Sequence, residues 1–130
     1  MLKSINLRSL LQAKDSLKAD SFNAMLKYYG IDLKQAEIED IRSLVATLIT
    51  VGTSLNEFGK FFLGFKIPKI GKEFDLLRFG TDYILNIELK STSTEEKIKK
   101  QLLRNLYYLS FLKAKVFALT YVSDKKVFTV

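Results

Sequence analysis

Three residues of this 130-residue chain have the types and spacing needed for metal-assisted phosphate chemistry: Asp75, Glu88 and Lys90. Asp75 lies in Glu73-Phe74-Asp75-Leu76-Leu77-Arg78-Phe79, and the other two end Tyr83-Ile84-Leu85-Asn86-Ile87-Glu88-Leu89-Lys90. Both segments are β-forming, and Gly80-Thr81-Asp82 between them is turn chemistry, so two strands joined by a tight turn are expected. Such a hairpin brings the carboxylates together although twelve residues separate them in sequence. Paired carboxylates supply the hard oxygen ligands that Mg²⁺ or Mn²⁺ takes, leaving positions for water and a phosphate oxygen. Strand alternation puts Ile84, Asn86, Glu88 and Lys90 on one face. Lys90 can there hold or deprotonate an attacking water, or neutralise charge on the transition state. The plainer alternative is two solvated carboxylates on a one-sided sheet, with Glu88 and Lys90 as a local ion pair of small energetic weight.

Composition narrows the chemistry from the other side. The chain has no histidine and no cysteine, which excludes Ser-His and Cys-His hydrolases, His-ligated zinc, thiolate metal sites and disulfides. Catalysis must then rest on carboxylates, lysines, hydroxyls and a hard cation held through oxygen. The formal charge of +7 favours a polyanionic partner, because cations beside phosphates release condensed counterions. The N-terminus lacks a signal-peptide pattern and no segment is apolar enough to span a bilayer, so no membrane partner and a cytoplasmic location are expected.

The elements that must position these residues follow from periodicity. Apolar residues at three- and four-residue steps predict helix over 2–29, broken near Asp15 or Asp20 and stopped at Gly30. A second helical pattern covers 34–51. Ser54-Leu55-Asn56-Glu57 has the form of a capping box, which predicts a short helix over 54–63. Residues 65–70 contain Pro68 and are expected to form an irregular or edge strand. Thr94 opens a long helix to about Leu112, and 115–122 and 126–130 are two last strands. Helices, a strand pair, a crossover helix and a returning strand make a mixed α/β sandwich, with the returning strand parallel to the one bearing Glu88. The expected layout is a helical region over 1–53 packed on a core over 54–130, within one compact domain. The last residues are still apolar and β-forming, which suggests the first domain of something larger.

The pattern Gly71-Lys72-Glu73-Phe74-Asp75, then Asn86-Ile87-Glu88-Leu89-Lys90-Ser91, resembles the PD-(D/E)XK nuclease superfamily. The resemblance covers roughly 54–122 and implies a restriction-endonuclease-like αβββαβ core with extra N-terminal helices. It also implies hydrolysis of phosphodiester bonds in DNA, with RNA left open, and a Mg²⁺ or Mn²⁺ cofactor. Asp75, Glu88 and the backbone carbonyl of Leu89 would be metal ligands, and Lys90 the catalytic lysine. Phe74 stands where the family's proline would precede Asp75. Gln101 and Glu57 are supporting candidates. Gln101 is followed at the family's Gln-x-x-x-Tyr spacing by Asn105, and is otherwise a solvated helix residue; Glu57 is either a metal-site acid or only the capping-box acid. Lys72, Lys97, Lys100 and Arg104 are candidates for contacting nucleic acid, the alternative being a solvated helix face. The block 71–90 with the helix around 101–111 is similar to nuclease-like regions found ahead of bacterial helicase or NTPase modules. That similarity implies such a module in a longer chain as a partner. A catalytically inactive domain of the same fold, binding nucleic acid or protein, is the rival expectation, and a homo-oligomer is left open.

Overall fold

Each N-terminal helix has a local reason to start or stop. The computed structural model describes residues 2–67, 71–112 and 114–130. Helix α1 (Leu7–Ser16) begins where the Asn6 side chain accepts from the amides of Arg8 and Ser9, at 2.9 and 3.2 Å. The chain then turns extended at Leu17 and Lys18, so the break expected near Asp15 or Asp20 falls two to three residues from either. Helix α2 (Ala19–Tyr29) ends at Gly30, whose φ of 73° is a left-handed cap that lets the Ile31 amide reach back to the Leu26 carbonyl. In α3 (Gln35–Thr50) the Glu37 carboxylate accepts from the Lys34 amide at 3.2 Å.

A five-stranded mixed sheet follows, in the order β1 (Phe61–Lys66), β2 (Glu73–Phe79), β3 (Tyr83–Lys90), β4 (Lys115–Val122), β5 (Val127–Thr129). All neighbours are antiparallel except β3 and β4, which run parallel and are joined through α4 (Glu95–Leu109). The strand carrying Glu88 is therefore central and buried from both sides. Helices α1 to α3 cover one face, where Leu7, Leu10, Ile41 and Leu44 pack with Phe61, Leu63, Leu76, Ile87 and Tyr121. Helix α4 covers the other through two smaller clusters, one around Phe74, Leu77, Ile84 and Leu109, the other around Ile98, Leu102, Ala118 and Val122. No described helix is long and apolar enough to cross a membrane.

The strands and helix starts nearest the site fall where the sequence puts them; several other boundaries do not. The helix expected over 54–63 is only a single 3₁₀ turn (Leu55–Phe58). Ser54 gives its hydroxyl to the Glu57 carboxylate at 3.0 Å instead of capping a backbone amide, and the backbone is already extended at Gly59, with Lys60 in a left-handed turn of φ 67° after it. The aromatic run from Phe61 then finds a ladder with β2, Phe61 opposite Arg78, and becomes strand. The edge strand expected over 65–70 is thus displaced to β1, and Pro68 with its neighbours Lys69 and Ile70 lies outside the described residues. Helix α4 stops at Leu109, short of Leu112, where Ser110 caps it and bonds the Tyr107 carbonyl through its hydroxyl. The last strand begins at Val127, because Lys126 is in a left-handed turn with φ 54°.

Candidate active site

The hairpin opens at its free end, and two carboxylates fill the opening. Leu76 pairs with Ile87 in the β2–β3 ladder, and one step further stand Asp75 and Glu88. There the side chains replace backbone acceptors in a reciprocal exchange. The Asp75 amide donates to Glu88 Oε2 at 2.8 Å, and the Leu89 amide donates to Asp75 Oδ2 at 2.9 Å. Each carboxylate thus caps the backbone of the opposite strand. This fixes both side chains on the α4 face and needs an acceptor oxygen at both positions.

Glu88 is 1 % exposed and meets two further donors. Asn86 Nδ2 lies 3.0 Å from Oε2, and Gln101 Nε2 from α4 lies 2.9 Å from Oε1. Asn86 also donates to the Leu76 carbonyl at 3.1 Å and accepts from Asn105 Nδ2 at 2.7 Å, so a buried polar chain runs from α4 through β3 to the carboxylate. Asn105 occupies the position four after Gln101, where the nuclease pattern carries tyrosine, and is tied to the same network. Thr120 on β4 stands beside Glu88 in register. Its hydroxyl and Asn105 Oδ1 are the buried side-chain atoms without a hydrogen-bond partner among the described residues.

Burial pushes both carboxyls above their ordinary values. For Asp75 desolvation outweighs the Leu89 amide and the charges of Lys90 and Lys72, which pull the other way. For Glu88 desolvation acts first and the charge of Asp75 second, against the hydrogen bonds from Asn86 and the Asp75 amide and the charge of Lys72. Both carboxyls are therefore harder to ionise than in water, and a bound cation would favour their charged form. A carboxylate offers about four lone-pair sites. Asp75 has one occupied and Glu88 three, so Asp75 Oδ1 and the second lone pair of Glu88 Oε1 remain for a cation. Among the described residues no third His, Cys, Asp or Glu joins them. That donor set fits a small hard ion such as Mg²⁺, which keeps several waters and takes one or two carboxylates.

The remaining candidates separate into those near the pair and one far from it. Lys90 shares the face of Glu88, and its charge reaches Asp75. The salt bridges of the described residues do not include Glu88 with Lys90, and Glu88 is no solvated position, so the plainer alternative for these residues fails. Lys90, Lys97, Lys100 and Arg104 converge with Ser93 and Gln101 on one open pocket of about 290 Å³. Lys72 sits apart from that pocket, its ammonium 5.0 Å from the Phe74 ring centroid, though its charge reaches both carboxylates. Leu89 gives its amide to Asp75 and pairs with Tyr121.

Glu57 is not at the site. It lines a groove with Leu48, Phe61, Arg78, Tyr83 and Leu85 on the face covered by α1 to α3, and its carboxylate holds Ser54. Its location follows from the failed helix: a strand from Phe61 sends the preceding turn to the opposite side of the sheet. Sequence reading gave no site role to Asn86, which it placed on the face of Glu88, or to Asn105, which it noted after Gln101, and it passed over Thr120 and Ser93. A signal existed for the first two, since an amide two positions before Glu88 and another one turn after Gln101 both fall on buried faces. Thr120 in a β-forming run carries no such mark. None of the protein-family models, curated proteins or solved structures compared with the chain matches it.

Proposed function

We propose that the chain is a metal-dependent phosphodiesterase domain acting on DNA, built on a restriction-endonuclease-like αβββαβ core. The observation that carries this reading is the pair of a half-buried Asp75 and a buried Glu88, interlocked across the open end of a hairpin and bordered by a pocket lined with four cations. Asp75 Oδ1, Glu88 Oε1 and the backbone carbonyl of Leu89 would hold Mg²⁺ or Mn²⁺. The ion would polarise the scissile phosphate and lower the pKa of bound water.

The protein's own groups do the rest. Lys90 stabilises charge building on the phosphate oxygens and orients the attacking water through its ammonium. Gln101 fixes the rotamer of Glu88, and Asn86, itself held by Asn105, fixes it from the other side. Lys97, Lys100 and Arg104 hold the neighbouring phosphates and set register without reading bases. Low sequence preference and strong salt dependence follow from that contact type.

Labelled DNA incubated with the protein and Mg²⁺ or Mn²⁺, with chelator as control, tests the reading. Metal-dependent cleavage is expected, slowed about 100-fold or more by Lys90→Ala with metal binding retained. Absence of cleavage by the wild type with either metal would sink it. One observation favours a second reading: Glu88 already meets three donors and no third acid joins the pair among the described residues. That favours an inactive domain of the same fold that binds nucleic acid, and salt-sensitive binding without cleavage selects it.

A further inference from the structure

We infer that the outward stripe of α4 is a platform for single-stranded nucleic acid, its phosphates on Lys97, Lys100 and Arg104 and its bases against Tyr107 and Phe111. The inference deepens the phosphodiesterase reading and rests on it only for where the strand leads, toward Glu88.

The five residues follow one another at steps of three and four, which is one side of a helix. The stripe starts in the pocket that Lys90 and Gln101 also line. Past Arg104 it changes character without changing direction. Tyr107 is 62 % exposed and Phe111, just beyond the helix end, 70 %, and their rings meet edge to face at 5.5 Å. These rings are not spare core. The apolar residues that seat α4 on the sheet are Ile98, Leu102 and Leu109, on the other side of the helix, and Tyr108 turns inward toward Phe74 and Leu77.

What covers such rings must also want the cations leading to them, and the stripe holds no carboxylate. Nucleic acid supplies both complements, phosphate for the first three residues and a flat π-face for the last two. It must be unpaired there, because a duplex buries its base faces. From Lys97 to Tyr107 the helix axis covers about 15 Å, which gives room for more than one nucleotide between the pocket and the rings.

The test uses the full chain in chelator, so that binding is read without cleavage, with fluorescence anisotropy of a labelled oligo-dT strand and of a hairpin duplex. The paired variant Tyr107→Leu with Phe111→Leu keeps apolar area and removes the stacking planes. It should weaken oligo-dT binding at least tenfold, leave duplex binding within about twofold, and leave the melting temperature unchanged. Tyr107→Phe with Phe111→Tyr keeps the rings and should bind as wild type. Lys100→Ala with Arg104→Ala should weaken both ligands and flatten the salt dependence. Wild-type affinity in the leucine variant overturns the platform, as does a wild type that ignores oligo-dT. So does a leucine variant whose only change, by light scattering, is loss of self-association, since the rings then dock a second copy. The cleavage assay is read apart from these. Ring-dependent binding with no cleavage sinks the nuclease reading alone, and cleavage with ring-independent binding sinks the platform alone.

Discussion

The two faces of the sheet are built from the same strands and have opposite character. On the face under α1 to α3, one continuous apolar cluster joins three helices to the sheet, and its most notable polar atom, the Tyr121 hydroxyl, is paired with Ser43 and Thr47 at 2.7 and 2.8 Å. Under α4 the apolar contacts split into two clusters. The buried polar side chains of the described residues, Asn86, Glu88, Asn105 and Thr120, all lie there, together with both unpartnered buried atoms. Close-packed apolar contact stabilises without directing anything, whereas a buried polar network costs stability unless each group is matched. The difference teaches that this fold rests on its first face and holds its buried polar groups, the proposed catalytic pair among them, on the second.

The strongest way to break that comparison is to remove charge from the second face and look for loss of activity without loss of fold. Glu88→Gln and Asp75→Asn should each lower cleavage by about a thousandfold or more, about 4 kcal/mol of barrier. Both should leave the metal-free protein at least as stable as wild type. The hydrogen bonds allow this. In Glu88→Gln the amide oxygen can take the place of Oε2, and Gln101 can flip its own amide to accept from the new NH₂. In Asp75→Asn a single oxygen still serves the Leu89 amide. Millimolar Mn²⁺ should raise the melting temperature of the wild type by mass action and do nothing for either variant. Metal-induced stabilisation that survives in the variants would move the ion elsewhere.

A smaller effect sharpens the contrast. Leu10→Ala, in the first face, should cost ~2–5 kcal/mol by leaving a cavity. Its folded fraction should still cleave at the wild-type rate and respond to Mn²⁺ as before. Asn105→Ala, in the second face, should cost ~1–3 kcal/mol by stranding the Asn86 oxygen, and should also slow cleavage because Asn86 no longer steadies Glu88. Denaturant unfolding with parallel rate measurements checks both. Equal losses of rate per folded molecule would erase the distinction between the faces.

The first face was the more legible one in sequence, and for a physical reason. Helical periodicity over α1 to α3 reports burial against a single apolar surface, and Gly30 and the extended break at Leu17 mark its ends locally. The hairpin β2–β3 and the strand β4 were equally plain, since alternation and the Gly80-Thr81-Asp82 turn are local signals. That is why Asp75, Glu88 and Lys90 could be placed together. Residues 54–63 misled because a capping-box pattern is local, while the ladder that makes Phe61 a strand comes from residues far along the chain. Glu57 was lost with that helix. The exchange of amides between Asp75 and Glu88, and the roles of Asn86 and Asn105, depend on strand register and helix rotation, which no single segment encodes.

The finest test lies in the sign of a slope. Asp75 and Glu88 both have carboxyls raised by burial, so the folded state binds protons more tightly than the unfolded chain across the interval between ordinary and raised values. Their contribution to stability is then fully present below the ordinary carboxylate range and is lost as pH rises through that interval toward the raised values. Without metal, the stability of wild type relative to Glu88→Gln should therefore fall with rising pH, and Leu10→Ala should run parallel to wild type with a constant offset. Saturating Mn²⁺ should reverse the slope, because the ion binds the ionised pair and competes with protons. Urea midpoints at several pH values, with and without Mn²⁺, measure this directly. A metal-free difference that rises with pH would mean that the amide donors from Asn86, Gln101 and the Asp75 backbone hold Glu88 ionised on their own. The pair would then be held by its amide donors without help from a cation, and a slope unchanged by Mn²⁺ would make the second face structural like the first.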